Sequence, residues 1–347
     1  MVDIEFYDRK REIDEIVGIL NTRPDLINFI YGPINSGKST LMIEIIKSLP
    51  KDFVTFCIDL REKFVASYED FIKVLFEVHR KRVTDYTKFI VKALESLHLS
   101  GIPIPKDLLA EMLRERETEN VFAYIIEVFE RIRDKGKIPV LILDELQVIG
   151  DLKIDELLIY RLFNLFVSLT KKRHLAHVFA ITSDSVFIEK VYEEAMLHGR
   201  CRYILVDDFD YNTTKGFLKK YEFSDDQIEL IWQYLGGKPV YLVEAVRIKS
   251  MGKDLRSFCD EMLKIRLGQL FDAILPLENV DRNRYERILV YLRKFEESEY
   301  VEYRYITDEI GFLIKNNVLF ADPVKRIVKP QSRLDLLAIR KFLKEVG

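Results

Sequence analysis

The chain has 347 residues, of which 48% are hydrophobic and 32% charged, and its formal net charge is −3. This composition excludes a disordered chain and gives no overall electrostatic case for nucleic-acid binding, while the length favours two or three domains. The longest apolar runs are strand-length, no leader pattern opens the chain, and the three cysteines lack metal-ligand spacing, so we expect a cytoplasmic protein with no membrane segment.

The first predicted helix lies within residues 5–20, with Asp8 as its N-cap. A short apolar strand over 26–31 follows, and it leads directly into a glycine-rich stretch at 32–40. An amphipathic helix comes after that stretch. The order of strand, glycine-rich loop and helix is the context that a phosphate-binding loop requires.

The glycine-rich stretch fits the P-loop pattern G-x-x-x-x-G-K-S. Gly32 and Gly37 allow a tight turn that points successive N–H groups at phosphate oxygens, and the helix adds its positive N-terminal dipole. Lys38 is expected to reach the β- and γ-phosphates, and the Ser39 hydroxyl to bind Mg²⁺. The alternative is a glycine-rich turn that happens to carry a lysine.

Strands and helices then alternate, which predicts an α/β fold. Strands are expected over 53–60, 138–144, 177–183 and 201–206, and helices over 67–82, 120–134, 154–171 and 184–197. The segment 84–118 interrupts this alternation. We interpret it as a helical insertion with a break at 100–105, where glycine and proline cluster.

The strand over 138–144 is apolar and ends in Asp144 and Glu145, which is the Walker B pattern. A buried strand of this kind delivers a carboxylate to the sheet edge beside the P-loop. Asp144 is expected to hold Mg²⁺, mostly through water, and Glu145 to polarise the water that attacks the γ-phosphate. An Asp-Glu pair after an apolar strand is common by chance, so this prediction depends on the P-loop upstream.

Two pairs of polar residues follow later strands. Thr182 or Ser183 could contact the γ-phosphate or its water, or could cap the helix predicted over 184–197. Arg200 or Arg202 could act as a charge-stabilising arginine finger. The alternative for the two arginines is an ordinary surface position beside a strand.

The last third of the chain is predicted to be mostly helical. Helices are expected over 211–221, 224–235, 239–250 and 254–271, and a linker over 276–281. The remaining pattern of helix, short helix, hairpin and final helix over 281–347 is typical of a winged helix. Its hairpin is basic, with Lys325, Arg326 and Lys329, but its candidate recognition helix opens with Asp308 and Glu309. The sequence therefore favours neither DNA contact nor protein contact over the other for this winged helix.

Four motifs make the chain resemble the archaeal P-loop ATPases of the STAND branch, relatives of the AAA+ ATPases. They are F-Y-D-R-K-R-E at 6–12, the P-loop at 32–40, L-I-L-D-E-L-Q at 141–147 and G-G-K-P-V-Y-L at 236–242. The resemblance implies a three-layer core with a parallel sheet in the order 5-1-4-3-2, a helical lid and a C-terminal winged helix. The corresponding domains are 1–210, 211–275 and 276–347.

The resemblance also implies roles for single residues. Tyr7 and Arg9 belong to the segment that lies over the nucleotide base, and Pro239 to the motif that brings the lid against adenine and phosphates. A glycine-arginine pair before the fifth strand favours Arg200 over Arg202. The P-loop contacts to the nucleotide are assigned to Gly32, Pro33, Asn35, Ser36, Gly37, Lys38, Ser39 and Thr40. Pro33-Ile34-Asn35 departs from the usual small or basic residues, and we expect it to alter details of phosphate contact.

The predicted function is a slow Mg²⁺-dependent ATPase that binds ATP and ADP and works as a nucleotide-driven switch. ATP would draw the lid and the winged helix against the core, and hydrolysis would release them. One rival is an ATP-regulated DNA-binding protein similar to archaeal replication initiators, and another is a small-molecule kinase. The expected partners are the nucleotide, a protein or DNA at the winged helix, and further copies of the chain in an ATP-dependent homo-oligomer.

Overall fold

The computed structural model describes residues 4–62, 65, 67–79, 97–115, 118–149, 156–184, 186–188, 191 and 197–346. Among the described residues up to 210 there are eight strands: β1 (Ile27–Tyr31), β2 (Phe53–Asp59), β3 (Phe76–His79), β4 (His98–Leu99), β5 (Ile102–Pro105), β6 (Ile138–Asp144), β7 (His177–Thr182) and β8 (Cys201–Leu205). Six of them form one parallel sheet in the order β4-β2-β6-β7-β1-β8. The order 5-1-4-3-2 predicted for the five sequence-predicted strands is observed, with β4 added at the edge beside β2.

Helices cover both faces of this sheet, because its strands are buried on both sides. The helices whose bounds the described residues give in this part are α1 (Lys10–Leu20), α2 (Lys38–Ser48), α3 (Tyr68–Leu75), α4 (Lys106–Glu115), α5 (Thr118–Asp134) and α6 (Glu156–Val167), the last continued by a π-helical turn at Ser168–Lys172. Along β1, Phe29 belongs to the core shared with α3, α5 and α6, whereas Ile30 belongs to the core shared with α1 and α2. The predicted three-layer arrangement is therefore present.

The helix predicted over 67–82 is wrong in its second half. It ends at Leu75, and Phe76–His79 forms β3, which pairs in parallel with β5 in a separate two-stranded sheet. The predicted break at 100–105 thus contains a strand. Gly101 permits this pairing, because a Cβ there would lie 2.8 Å from the backbone nitrogen of Glu77. The part of the expected helical insertion before residue 97 lies outside the described residues, and so does most of the helix expected over 184–197, of which residues 186–188 and 191 are helical.

The last third contains α7 (Tyr211–Lys220), α8 (Asp225–Leu235), α9 (Pro239–Ser250), α10 (Leu255–Ile274), α11 (Pro276–Val280), α12 (Arg282–Arg293), β9 (Val301–Glu302), α13 (Asp308–Lys315), β10 (Leu319–Asp322), β11 (Ile327–Pro330) and α14 (Arg333–Val346). The expected linker over 276–281 is instead the short helix α11, which Pro276 can open because its missing N–H needs no partner there. The three strands form an antiparallel sheet in the order β10-β11-β9. Within the part of the chain described above, no helix is long and apolar enough to cross a membrane.

The long helix α10 connects two hydrophobic cores. Its amino-terminal half contributes Leu255 and Phe258 to the core of α7, α8 and α9. Its carboxyl-terminal half contributes Leu267 and Leu270 to the core of α12, α13, α14 and the antiparallel sheet. A single 20-residue helix therefore joins the helical segment to the C-terminal region without an exposed connection between them.

Candidate active site

The loop between β1 and α2 has the backbone geometry of an anion site. Gly32 passes so close to the end of β8 that a Cβ there would lie 2.1 Å from the carbonyl oxygen of Val206. Asn35 and Gly37 have positive φ angles of 59° and 92°. No side chain caps the first turn of α2, so its N–H groups remain free to bind an anion.

Lys38 is folded back onto this loop. Its Nζ donates to the carbonyl oxygens of Gly32, at 3.0 Å, and Pro33, at 2.8 Å, and the side chain is 6% exposed. Burial, reinforced by the nearby charge of Lys238, lowers the pKa of Lys38 to about 8. The carbonyl groups of Gly32 and Pro33 therefore hold the lysine side chain. Neither residue lines the cavity of about 630 Å³ that is described below.

Asp144 stands at the end of β6, beside the start of α2. Its Oδ1 accepts from the backbone N–H of Glu145 at 2.8 Å, and its carboxylate is hydrogen-bonded to the Ser39 hydroxyl. Burial raises the pKa of Asp144, and the bond with Ser39 opposes that shift. Among the described residues, no group of three or more His, Cys, Asp or Glu side chains is arranged so that it could hold a metal ion. A hydroxyl and a carboxylate in contact nevertheless suit Mg²⁺, which takes few protein oxygens and completes its shell with water and phosphate.

Glu145 directly follows β6 and has a φ angle of 57°, in the left-handed region of backbone conformation. Its Oε2 lies 3.0 Å from Nη2 of Arg61 and also accepts from the side-chain amide of Gln147. Burial raises the pKa of Glu145, and the charge of Arg61 opposes this. Neither Arg61 nor Gln147 was predicted as a site residue.

Thr182 and Ser183 do different things at the end of β7. The Thr182 hydroxyl is buried, donates to Oε1 of Gln147 at 2.7 Å and accepts from the N–H of Asp184 at 3.0 Å. The carboxylate of Asp184 accepts from the N–H of Val186, so it caps the turn that follows. Ser183 borders the cavity described next. Of the two, Ser183 is the one that lines this cavity.

A cavity of about 630 Å³ lies between the P-loop, the amino-terminal segment and the start of α9. Its size is typical of a small-ligand site. Tyr7 enters from the amino-terminal segment and packs edge-on against Phe217 of α7, while Pro239 opens α9 at the cavity wall. The structure brings the following sequence-predicted residues to this one cavity: Tyr7, Arg9, Asn35, Ser36, Gly37, Lys38, Ser39, Thr40, Glu145, Ser183 and Pro239.

Arg9 supports the P-loop as well as bordering the cavity. One of its guanidinium nitrogens donates to the carbonyl oxygen of Ser36 at 2.6 Å, and the other to Glu12 at 3.3 Å. The guanidinium also lies 4.5 Å from the centre of the Phe209 ring. The side chain is 6% exposed. The predicted place of Arg9 over the base thus stays a prediction, whereas its hold on the P-loop is a direct contact.

Arg200 is not brought to the P-loop of its own chain. It precedes β8 at the amino-terminal edge of the sheet, where its carbonyl oxygen accepts from Ile27, and the P-loop leaves the opposite edge after Tyr31. Four residues of strand separate the two edges, about 13 Å. Arg200 is therefore not placed beside the P-loop of its own chain, and its role as an arginine finger in a closed or assembled state stays a prediction. Arg202 is held by Asn28 Oδ1 at 2.9 Å.

Lys238, which was not predicted, joins α9 to the P-loop. Its Nζ lies 2.9 Å from Oδ1 of Asp208 and donates at 2.9 Å to the carbonyl oxygen of Ile34, and the side chain is 2% exposed. Gly237 permits this approach, because a Cβ there would be 1.8 Å from the carbonyl oxygen of Phe209. The G-G-K-P motif therefore places a buried ammonium group beside the phosphate loop.

The C-terminal region touches the same loop. Oε1 of Gln331, directly after β11, accepts from the N–H of Ile34 at 3.0 Å, and Tyr31 donates to Oδ1 of Asp322 at 3.0 Å. Lys329 pairs with Asp207, its Nζ lying 2.5 and 2.7 Å from the two carboxylate oxygens. These contacts could not be read from the sequence, since their partners lie more than a hundred residues apart.

Comparison with known proteins agrees with this site. Residues 6–245 match the family described as an ATPase domain predominantly from Archaea. The chain belongs to this family. Residues 256–343 of this ATPase match a second description, the C-terminal domain of uncharacterized ATP-binding proteins like MJ1010. The expectation of an archaeal ATP-binding ATPase is thereby confirmed.

Several relatives of this ATPase are similar over their full lengths. Uncharacterized ATP-binding protein MJ1659 of Methanocaldococcus jannaschii is 48% identical over 359 residues, which cover 100% of this chain and 99% of the relative. Uncharacterized ATP-binding protein PYRAB09480 of Pyrococcus abyssi is 48% identical over 340 residues, which cover 97% and 98%.

Solved structures share the fold of this ATPase. The Walker-type ATPase paby2304 of Pyrococcus abyssi superposes with a TM-score of 0.65 at 20% identity, covering 96% of each chain. The ORC2 protein of Aeropyrum pernix, solved in ADPNP-ADP complexes, gives 0.52 at 13% identity, covering 100% of this chain and 95% of that one. At such identities the likeness concerns the fold alone.

Proposed function

We propose that this ATPase is a slow, Mg²⁺-dependent nucleotide switch of the STAND type, in which the P-loop controls how the C-terminal region docks. The observation that carries the proposal is the position of Ile34. Its N–H is bound by Gln331 of the C-terminal region and its carbonyl by Lys238 of α9. One P-loop residue thus links the phosphate site both to the C-terminal region and to α9, the two elements that the proposal expects to move.

The chemistry would be divided among few residues. Ser39 and Asp144 would hold Mg²⁺, which supplies positive charge against the phosphate oxygens. Lys38 would exchange its contacts with the P-loop carbonyls for phosphate oxygens. Glu145 would accept the proton of the attacking water, and Ser183 would hold that water or the γ-phosphate.

The switch would follow from the same contacts. When Lys38 leaves the carbonyls of Gly32 and Pro33, the backbone on the amino-terminal side of Ile34 loses two charge-assisted hydrogen bonds. Any adjustment of that backbone reaches Gln331 and Lys238 directly. We propose that ATP favours the docked arrangement and that hydrolysis releases it.

The domain division proposed is 1–210, 211–275 and 276–347, with the last a winged helix that contacts a protein partner. Lys329, one of three basic hairpin residues, is engaged by Asp207, and Glu309 of α13 is paired with Arg287 at 2.5 Å. The face is therefore less basic toward solvent than its sequence indicates. These pairings disfavour DNA readout, which depends on free cations.

Phosphate release from ATP, measured with Mg²⁺ and with a chelator, tests the proposed activity. We expect slow turnover that requires Mg²⁺ and is lost in Lys38→Ala. Arg202→Ala is a suitable control, because Arg202 is a cation of the same core that contacts Asn28 and lies away from the cavity. Turnover that survives in Lys38→Ala, or phosphate transferred to a metabolite, would overturn the proposal.

A further inference from the structure

Gln147 connects the ends of two central strands. It lies in a short 3-10 helix (Leu146–Ile149) after β6 and is 8% exposed. Its Oε1 accepts from the Thr182 hydroxyl at 2.7 Å, while Nε2 donates to Oε2 of Glu145 and, at 3.2 Å, to Oγ of Ser183. Only the amide nitrogen can donate to a carboxylate, so these contacts permit one orientation of the side chain.

This orientation determines which oxygen of Glu145 is available. The amide of Gln147 and the guanidinium of Arg61 both contact Oε2. Oε1 is therefore the oxygen left to accept from water. Arg61 is 54% exposed and can swing away, whereas Gln147 is buried and anchored by Thr182. The fixed constraint on the carboxylate is thus Gln147.

We propose that Gln147 is a positioning residue for hydrolysis, which holds the Glu145 carboxylate in place through its anchor at Thr182. The inference rests on the proposed function, because it assigns to Glu145 the role of proton acceptor. Gln147 acts on Glu145 and not on the nucleotide. Its loss should therefore lower kcat and leave ATP binding intact, since the carboxylate is needed only in the transition state.

The first variant is Gln147→Leu, which keeps the approximate volume and removes the amide. We expect kcat to fall by about 10- to 100-fold, which is the usual effect of removing a residue that orients a functional side chain by a hydrogen bond. The KM for ATP should be nearly unchanged. The acid limb of the kcat–pH profile should move to higher pH, because the bond from Gln147 lowers the pKa of Glu145. Gln147→Glu keeps the acceptor for Thr182 but loses the donor, and it should not restore kcat.

A matched control exists at the surface. Gln233 donates to Glu229 at 3.0 Å on the exposed face of α8, so Gln233→Leu removes the same kind of contact away from the site and should leave kcat unchanged. Thr182→Val tests the anchor: it should lower kcat and add little to Gln147→Leu in the double variant.

The outcomes separate this inference from the proposed function. A parent protein without turnover would overturn both. A parent with turnover and a Gln147→Leu variant with unchanged kcat and pH profile would overturn the positioning role alone. A variant that loses ATP affinity in proportion to kcat, with an unmoved pH profile, would assign Gln147 a structural role only and would also overturn it.

Discussion

The side-chain oxygen of Gln331 accepts a hydrogen bond of 3.0 Å from the N–H of Ile34, a residue that precedes it by 297 positions. The bond joins the C-terminal region to the middle of the P-loop. Tyr31 and Asp322 form a second bond across the same boundary, directly before the loop. The P-loop and the C-terminal region are therefore joined by direct hydrogen bonds. A change in the backbone of one can alter the position of the other without intermediate residues.

The P-loop lysine and the Walker B glutamate should separate binding from turnover. Lys38→Ala removes charge-assisted contacts made already with bound ATP, which we expect to weaken binding by at least about 2 kcal/mol. Glu145→Gln should retain ATP binding and lose about 100-fold or more in kcat, because the proton acceptor acts only in the transition state. Calorimetry and phosphate release measure the two effects. Equal loss of ATP binding in both variants would show that Glu145 is misassigned.

ATP binding should take up a proton at alkaline pH. Burial and the charge of Lys238 lower the pKa of Lys38 to about 8, and phosphate requires the ammonium form. Below that pKa the lysine is already charged and uptake is small; above it, uptake should approach one proton and Kd should rise about tenfold per pH unit. Calorimetry in buffers of different ionisation enthalpy measures this. Lys38→Arg, which stays charged, should abolish the uptake, and proton uptake that is constant across the range would contradict the account.

The buried pair Lys238–Asp208 should be costly to break from one side. Lys238→Met leaves the Asp208 carboxylate buried without its cation, which should cost about 3–5 kcal/mol in the free energy of unfolding. The double variant Lys238→Met/Asp208→Leu should cost less than either single change. Lys73→Met, which breaks an exposed pair with Glu69, should leave the free energy of unfolding nearly unchanged. Urea titration of Lys238→Met, Asp208→Leu, the double variant and Lys73→Met measures these free energies of unfolding. Additive losses for Lys238→Met and Asp208→Leu would contradict this prediction.

The P-loop and Walker B residues could be predicted because their geometry is local. A strand, a turn and a helix N-terminus are encoded within 32–40, and the parallel sheet follows from alternating strands and helices. Arg61, Gln147 and Lys238 were not predicted as site residues, because their partners are set by tertiary packing. Gln147 and Lys238 lie within two of the motifs quoted above, but the motif pattern does not say which groups their side chains contact. The four-residue strand β3, with the sequence F-E-V-H, was missed because so short a segment directly after a helix also fits the continuation of the helical period.

We predict that Arg200 acts on phosphate in another copy of the chain, because its own P-loop lies at the opposite edge of the sheet. Arg200→Ala should hydrolyse ATP at the parent rate when dilute and more slowly where chains assemble. Adding Glu145→Gln protein, which keeps its arginine, should raise the rate of Arg200→Ala. A rate that is insensitive to concentration and mixing would remove Arg200 from the mechanism. Arg202→Ala serves as the control.

The most direct test is amide hydrogen exchange in the sheet of the C-terminal region. Glu145→Gln protein with ATP should show slower exchange over β10 and β11, and at Ile34, than the parent protein with ADP. Gln331→Leu, which removes the acceptor for Ile34, should bind ATP normally and lose this difference. Equal exchange over β10 and β11 with ATP and ADP, or faster exchange with ATP, would contradict the claim that the nucleotide controls docking of the C-terminal region.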